Sequence, residues 1–108
     1  MAGTTELDAV FHALADPTRR ELLALLAEAE RSTGALASRF DLSRPAISKH
    51  LKVLGDAGLV ERRREGRHQV YTLEGGRLGV AAEWLLGYRR FWRGRLASLK
   101  RYLEEESE

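Results

Sequence analysis

Residues 42–54 read Leu-Ser-Arg-Pro-Ala-Ile-Ser-Lys-His-Leu-Lys-Val-Leu, and Gly-Asp-Ala-Gly-Leu-Val follows directly at residues 55–60. This stretch decides the fold. Ser43 is a typical N-cap, and Pro45 lies in the first turn, where its missing N–H removes no needed hydrogen bond. The glycines that follow are typical of a helix end. The sequence therefore predicts a helix over about residues 43–56.

The two sides of this predicted helix differ in chemistry. Ile47, Leu51 and Leu54 recur at helical spacing and form one apolar side. The other side carries cationic and hydroxyl groups, from Arg44, Ser48, Lys49 and Lys52. A helix with an apolar back and a basic front fits the major groove of duplex DNA. The alternative is the solvated face of an ordinary surface helix.

An arginine-rich hairpin is predicted at about residues 59–73, with a glycine turn in its middle. Because alternate side chains of a strand share a face, Arg62 and Arg64 lie on one face and Arg63 lies on the other. We expect Arg62 and Arg64, with Arg67 at the turn, to reach the phosphates or the minor groove beside the helix. The alternative is an edge strand whose charges prevent aggregation.

The rest of the chain predicts four more helices. Thr4 or Thr5 can cap a first helix, and Asp16-Pro17 is typical of the start of a second. A short third helix opens at Thr33, and a single long helix is predicted over about residues 77–103. We expect one domain over residues 1–108, mainly α (α+β), with the element order of a winged helix-turn-helix.

Three residues of the predicted DNA-binding surface need separate interpretation. Arg44 can hold guanine O6 and N7 with both ends of its guanidinium group. Thr33 can offer its hydroxyl and the nearby helix amides to a phosphate, or it can serve as an ordinary N-cap. His50 lies between the apolar and basic sides, so it can contact a phosphate or bond a neighbouring carbonyl.

Several motifs follow one another along the chain in a set order. They are Leu14-Ala15-Asp16-Pro17-Thr18-Arg19-Arg20, the segment from Ser43 to Leu54, Ala57-Gly58-Leu59-Val60, and Gly66-Arg67 with Val70-Tyr71. In these motifs the chain resembles the ArsR-type transcriptional regulators, over about residues 7–103. The resemblance implies a homodimeric repressor of a two-fold operator, commonly released by an inducer. It also implies that Arg44, Ser48 and Lys49 face base edges, with Pro45 beside them.

The predicted long helix carries an apolar stripe that repeats every seven residues. A domain this small cannot bury so many large groups alone, so we expect a second copy to cover them. Two recognition helices would then lie about 34 Å apart on one face of the DNA. The alternatives are packing within one protomer and an aromatic inducer pocket around Trp84, Tyr88 and Trp92. The predicted dimer residues are Leu78, Leu85, Trp92, Leu96 and Leu99.

Charge is segregated along the chain, although the net charge is only +2. Residues 1–30 hold six acidic and two basic side chains, whereas residues 31–72 hold nine basic and four acidic ones. Residues 77–103 hold seven basic side chains against one acidic. Separate basic stretches of this kind favour a polyanionic partner.

The sequence has no cysteine, which excludes disulfides, thiolate metal sites and thiol nucleophiles. Asp8 and His12 stand at i and i+4, but two ligands are too few for a metal site. We predict no metal regulation and no cofactor. Scattered histidines and the lack of a phosphate-binding glycine loop argue against an enzyme.

The first residues lack the pattern of a secretion peptide, and no apolar run reaches the length of a membrane span, so we expect a cytoplasmic protein. A sequence-specific DNA-binding repressor is the leading hypothesis. A winged helix used only for protein partners and a non-specific DNA-binding protein are the rival hypotheses.

Overall fold

The computed structural model describes the backbone of residues 2–106 and, within it, the side chains outside residues 2–5, 90–92, 96 and 106. A small antiparallel sheet of strand order β1-β3-β2 accompanies the helices. This architecture confirms the predicted winged helix-turn-helix. The helices are α1 (Ala2–Leu14), α2 (Pro17–Glu28), α3 (Thr33–Ala37), α4 (Arg44–Asp56), α5 (Gly76–Leu86) and α6 (Arg89–Glu106). The strands are β1 (Arg31–Ser32), β2 (Val60–Glu65) and β3 (His68–Leu73).

Side-chain caps set the starts of three helices. Asp16 accepts a hydrogen bond from the Arg19 amide at 3.1 Å, and Ser43 accepts one from the Ala46 amide at 3.3 Å. Both predicted caps are confirmed. The N-cap of α3 is Ser32, so the interpretation of Thr33 as that cap is wrong. The predicted cap at Thr4 or Thr5 is also wrong, because α1 already begins at Ala2.

The core fixes which side of α4 faces outward. Ile47, Leu51 and Leu54 are fully buried, as their spacing predicts, and they meet side chains from α1, α2 and α3. Val60 and Tyr71 join the same core, so the hairpin is anchored at its base. Burial of a large aliphatic side chain contributes about 1.5–3 kcal/mol to stability. The three buried side chains therefore fix the rotation of α4 about its own axis. The basic side of α4 is therefore left to solvent.

The C-terminal segment differs from the predicted single helix over residues 77–103. It forms α5 and α6, separated at Gly87 and Tyr88. Glycine is a poor helix former because its backbone loses the most freedom on ordering. The Gly87 amide donates to the carbonyls of both Glu83 and Trp84 at 3.2 Å, a tightened turn that ends α5. The seven-residue apolar repeat is therefore divided between two helices.

The molecule is elongated, and every described side chain of α6 is exposed. The radius of gyration is 18.0 Å, whereas a compact chain of this length has a radius of about 13 Å. The principal extents are 60 × 39 × 20 Å. Among residues 2–106, no helix combines the length and apolar character needed to cross a bilayer.

Candidate nucleic-acid interface

A cleft of about 630 Å³ separates α4 from the wing, the hairpin of β2 and β3. Leu51, Val60 and Tyr71 form its apolar floor. Its rim is polar and joins three parts of the fold: the start of α3, the front of α4 and the inner face of the wing. The rim residues are Thr33, Ser48, Lys52, Asp56, Arg62 and Gln69. The structure therefore brings four of the predicted DNA-binding residues, Thr33, Ser48, Lys52 and Arg62, around one concave surface.

The first two turns of α4 present the predicted base-reading residues to solvent. Arg44, Pro45, Ser48 and Lys49 are all exposed. The Arg44 guanidinium extends over α3, where a Cβ built on Gly34 would lie 2.8 Å from the nearer terminal nitrogen. The absence of a side chain at residue 34 leaves Arg44 room beside the neighbouring helix. The cationic side chain of Arg44 is therefore accommodated at the N-terminal end of α4.

Lys52 lies farther along α4 and pairs with Asp56 one turn later. Its ammonium nitrogen is 2.9 Å from the Asp56 carboxylate, and both side chains are largely exposed. An exposed pair of this kind contributes little to stability, about 0–1 kcal/mol. A nearby phosphate can therefore replace Asp56 as the partner of Lys52 at small cost.

The two faces of the wing carry different arginines, as strand alternation predicts. Arg62 lies opposite Tyr71 and Arg64 opposite Gln69, on the face that includes the cleft. Arg63 lies on the reverse face. Arg67 is exposed at the turn, where Gly66 takes a positive φ of 62° that favours glycine. Arg62, Arg64 and Arg67 are all exposed on the wing, and Nε of Arg64 donates to the Gly66 carbonyl at 3.3 Å.

Arg63 is held by two carboxylates behind the wing. Its terminal nitrogens donate to both oxygens of Glu30 at 2.8 and 2.7 Å and to Glu65 at 3.0 Å. The hydrogen bonds from Arg63 lower the pKa of Glu30, and the same bonds, with those to Glu65, raise the pKa of Arg63. Glu30 stands just before β1, so this cluster ties the wing to the end of α2. Sequence reasoning missed the cluster, because Glu30 and Arg63 are 33 residues apart.

His50 is half-buried on the flank of α4 next to the start of α2. Its Nδ1 lies 3.5 Å from a terminal nitrogen of Arg19. The hydrogen bond from the Arg19 amide lowers the pKa of the Asp16 carboxyl below its usual value. The structure thus adds an arginine contact to the two predicted alternatives for His50, a phosphate contact and a bond to a neighbouring carbonyl.

Exposed apolar side chains cover α5 and the end of α6. Leu85 and Leu99, both predicted dimer residues, are 45% and 52% exposed. Leu78 instead packs partly against the core of its own protomer. The side chains of Trp92 and Leu96 lie outside the described residues. The other exposed members are Val80, Trp84, Leu86, Tyr88, Tyr102 and Leu103.

Trp84 connects this apolar surface to α1. Its ring meets Phe11 edge-on at a centroid distance of 5.6 Å and Tyr88 at 5.2 Å. Trp84 is still 47% exposed despite both contacts.

In the described part of the chain, no three His, Asp or Glu side chains converge as a metal site would require.

An exposed basic helix over a buried apolar stripe, flanked by an arginine-bearing wing, defines a winged-helix DNA-binding regulator. Relatives and a solved structure that are 37–40% identical over most of this chain show that it belongs to the ArsR family of transcriptional regulators, a family of DNA-binding proteins and not of enzymes. A helix-turn-helix domain model matches residues 14–63. The transcriptional repressor SdpR of Bacillus subtilis is 37% identical over 79 residues, which cover 73% of this chain and 88% of SdpR.

Two further relatives match nearly the whole chain. An HTH-type transcriptional regulator of Mycobacterium tuberculosis is 38% identical over 101 residues, covering 94% of this chain and 92% of that protein. The solved structure of an ArsR-like transcriptional regulator from Rhodococcus sp. RHA1 superimposes with a TM-score of 0.74. It is 40% identical and covers 94% of this chain and 95% of its own.

Proposed function

We propose that this protein is a homodimeric, sequence-specific repressor that reads a two-fold operator with α4 and the wing. The observation that carries the proposal is that the basic side of α4 faces solvent. It does so because Ile47, Leu51 and Leu54 on the opposite side of the helix are buried. Arg62 and Gln69 face the same cleft from the wing. The similarity to a relative named as a transcriptional repressor supports the same mode of action.

The predicted DNA-binding residues of α3 and α4 have roles that follow from their chemistry. Arg44, at the N-terminal end of α4, binds guanine with two parallel hydrogen bonds. Ser48 serves a base edge or a phosphate, whereas Lys49 and Lys52 supply charge to phosphates. Thr33 is half-buried in the lining of the cleft, where its hydroxyl can bond a phosphate. Pro45 adds an exposed apolar ring next to Arg44.

Dimerisation supplies the two-fold symmetry of the proposed complex. The exposed apolar residues of α5 and α6 form a candidate seam, and a second copy would bury the same residues from both sides. Two α4 helices would then enter successive major grooves about 34 Å apart. A repressor of this kind covers promoter DNA when both half-sites are occupied.

Footprinting on the DNA upstream of the protein's own gene tests the proposal. We expect one protected region with two inverted half-sites about 10 base pairs apart, because one helical turn separates the two α4 helices. Binding of two chains per site should accompany that protection. Uniform coverage without a preferred site would instead show a non-specific DNA-binding protein, and no protection at all would favour a protein-interaction module.

Replacing Arg67 with alanine should weaken binding to all DNA sequences alike. A wing arginine that contacts phosphate releases counterions, so the slope of log affinity against log salt should flatten by about one unit for each bound chain. Arg39→Ala is the charge-matched control, because Arg39 is exposed beside α2, outside the cleft between α4 and the wing. An unchanged slope for Arg67→Ala would remove the wing turn from the interface.

Zinc is expected to leave DNA affinity unchanged. The chain has no cysteine, and ArsR-type metal sensing depends on clustered thiolate, imidazole or carboxylate ligands. Titration of the metal-free protein with one to two equivalents of zinc, followed by operator binding, measures this. A large affinity change at those amounts would show a metal-responsive regulator.

A further inference from the structure

Arg19 caps the C-terminal end of α1 from the first turn of α2. Its Nε donates to the Ala13 carbonyl at 2.7 Å, and one terminal nitrogen donates to the His12 carbonyl at 3.0 Å. The last carbonyls of a helix have no partner within that helix, and a cation there also meets the negative end of the helix dipole. Arg19 therefore satisfies the Ala13 carbonyl and adds a second donor to the His12 carbonyl, which also accepts from the Ala15 amide at 3.2 Å.

The same guanidinium also reaches the recognition helix. Its other terminal nitrogen lies 3.5 Å from Nδ1 of His50, in the middle of α4. Arginine can only donate, so Nδ1 of His50 is the acceptor in this contact. The Arg19 backbone is itself fixed, because its amide donates to the capping carboxylate of Asp16. One side chain thus joins the end of α1, the start of α2 and the side of α4.

These contacts place Arg19 between the proposed dimer seam and the proposed base-reading surface. Helix α1 meets α5 through Phe11 and Trp84. Helix α4 presents Ser48 and Lys49 immediately before His50. Base reading requires side chains held to within about 0.5 Å and 10–20°, so a small rotation of α4 is enough to spoil it.

We propose that Arg19 is a positioning residue. Through its contact with His50, it holds α4 against the end of α1 in the orientation that base reading needs, and we call this contact the lock. On this account His50 serves the orientation of α4 and is not a phosphate contact. The inference rests on the proposed reading of bases by α4.

Arg19→Gln, with Arg20→Gln as matched control, tests the lock. Arg20 caps the same helix end through the Leu14 carbonyl at 2.6 Å, and it has no hydrogen bond to α4 among the described residues. We expect Arg19→Gln to lower the ratio of operator to random-DNA affinity roughly three- to tenfold with an unchanged salt slope. Arg20→Gln should lower the melting temperature comparably but leave that ratio intact. Equal loss of the ratio in both variants would overturn the lock.

A double-mutant cycle with His50→Ala tests the path from Arg19 to α4. If Arg19 acts through His50, the double variant should lose no more of the affinity ratio than Arg19→Gln alone, and His50→Gln should restore an acceptor and part of the ratio. Additive losses, or a flatter salt slope for His50→Ala, would overturn the proposal.

The outcome for Arg44→Ala separates the two proposals. If Arg44→Ala lowers the affinity ratio and Arg19→Gln does not, the positioning role alone fails. If Arg44→Ala leaves the ratio intact, base reading by α4 fails as well.

Discussion

Replacement of Arg44 with alanine is expected to lower operator affinity by about 30-fold or more, because each bidentate arginine–guanine contact contributes about 1–3 kcal/mol and a dimer loses two. Arg44 is exposed at the leading end of α4, and its guanidinium has room beside Gly34. Its removal opens no cavity in the core, so stability should stay nearly constant. Equilibrium titrations of the footprinted site and of random DNA, at one salt concentration, give the two affinities to compare.

Arg39→Ala is the charge-matched control for this experiment. Arg39 is also exposed, but it lines a separate depression beside α2, with Glu21 and Glu28. Its loss removes the same charge from the protein and should change operator affinity by no more than about twofold, since Arg39 lies outside the cleft between α4 and the wing and exposed charges are screened by salt. Parallel losses on operator and random DNA for Arg44→Ala would reduce Arg44 to a general phosphate contact.

The sequence was sufficient to predict α4 and the wing, because both have short-range causes. The cap at Ser43 and the apolar stripe of Ile47, Leu51 and Leu54 lie within one helix, and their spacing alone orients its basic side. The alternation of Arg62 and Arg64 against Arg63 follows equally from strand geometry. These local rules agree with the tertiary packing, which is why the predicted surface appears in the fold.

Features that depend on distant residues were not predictable in the same way. Glu30 meets Arg63 and Arg19 meets His50 across 33 and 31 residues, so neither contact has a local pattern. Gln69 enters the cleft only because β3 pairs with β2 in this register. The break at Gly87 did have a sequence marker, an isolated glycine within a helical pattern, which the strong seven-residue repeat outweighed.

Leu99→Glu is expected to dissociate the dimer and to lower operator affinity by about 10²–10⁴-fold, because the second half-site is then no longer bound intramolecularly. Leu99 is 52% exposed in the protomer, so the helix-turn-helix body should keep its melting temperature. Sedimentation equilibrium gives the association state, and footprinting should show protection only at much higher protein concentration, where single chains occupy the two half-sites independently.

Ser98→Glu is the matched control, because Ser98 is exposed on the same helix and the substitution adds the same charge. It should remain dimeric if the apolar character of residue 99, rather than the negative charge of α6, holds two copies together. Leu85→Glu extends the test to α5, where residue 85 is 45% exposed. Dissociation by Leu85→Glu but not by Leu99→Glu would confine the seam to α5, which packs next to α1. Persistence of the dimer in both variants would show that the two copies meet elsewhere, and the two α4 helices would then need a different spacing on DNA.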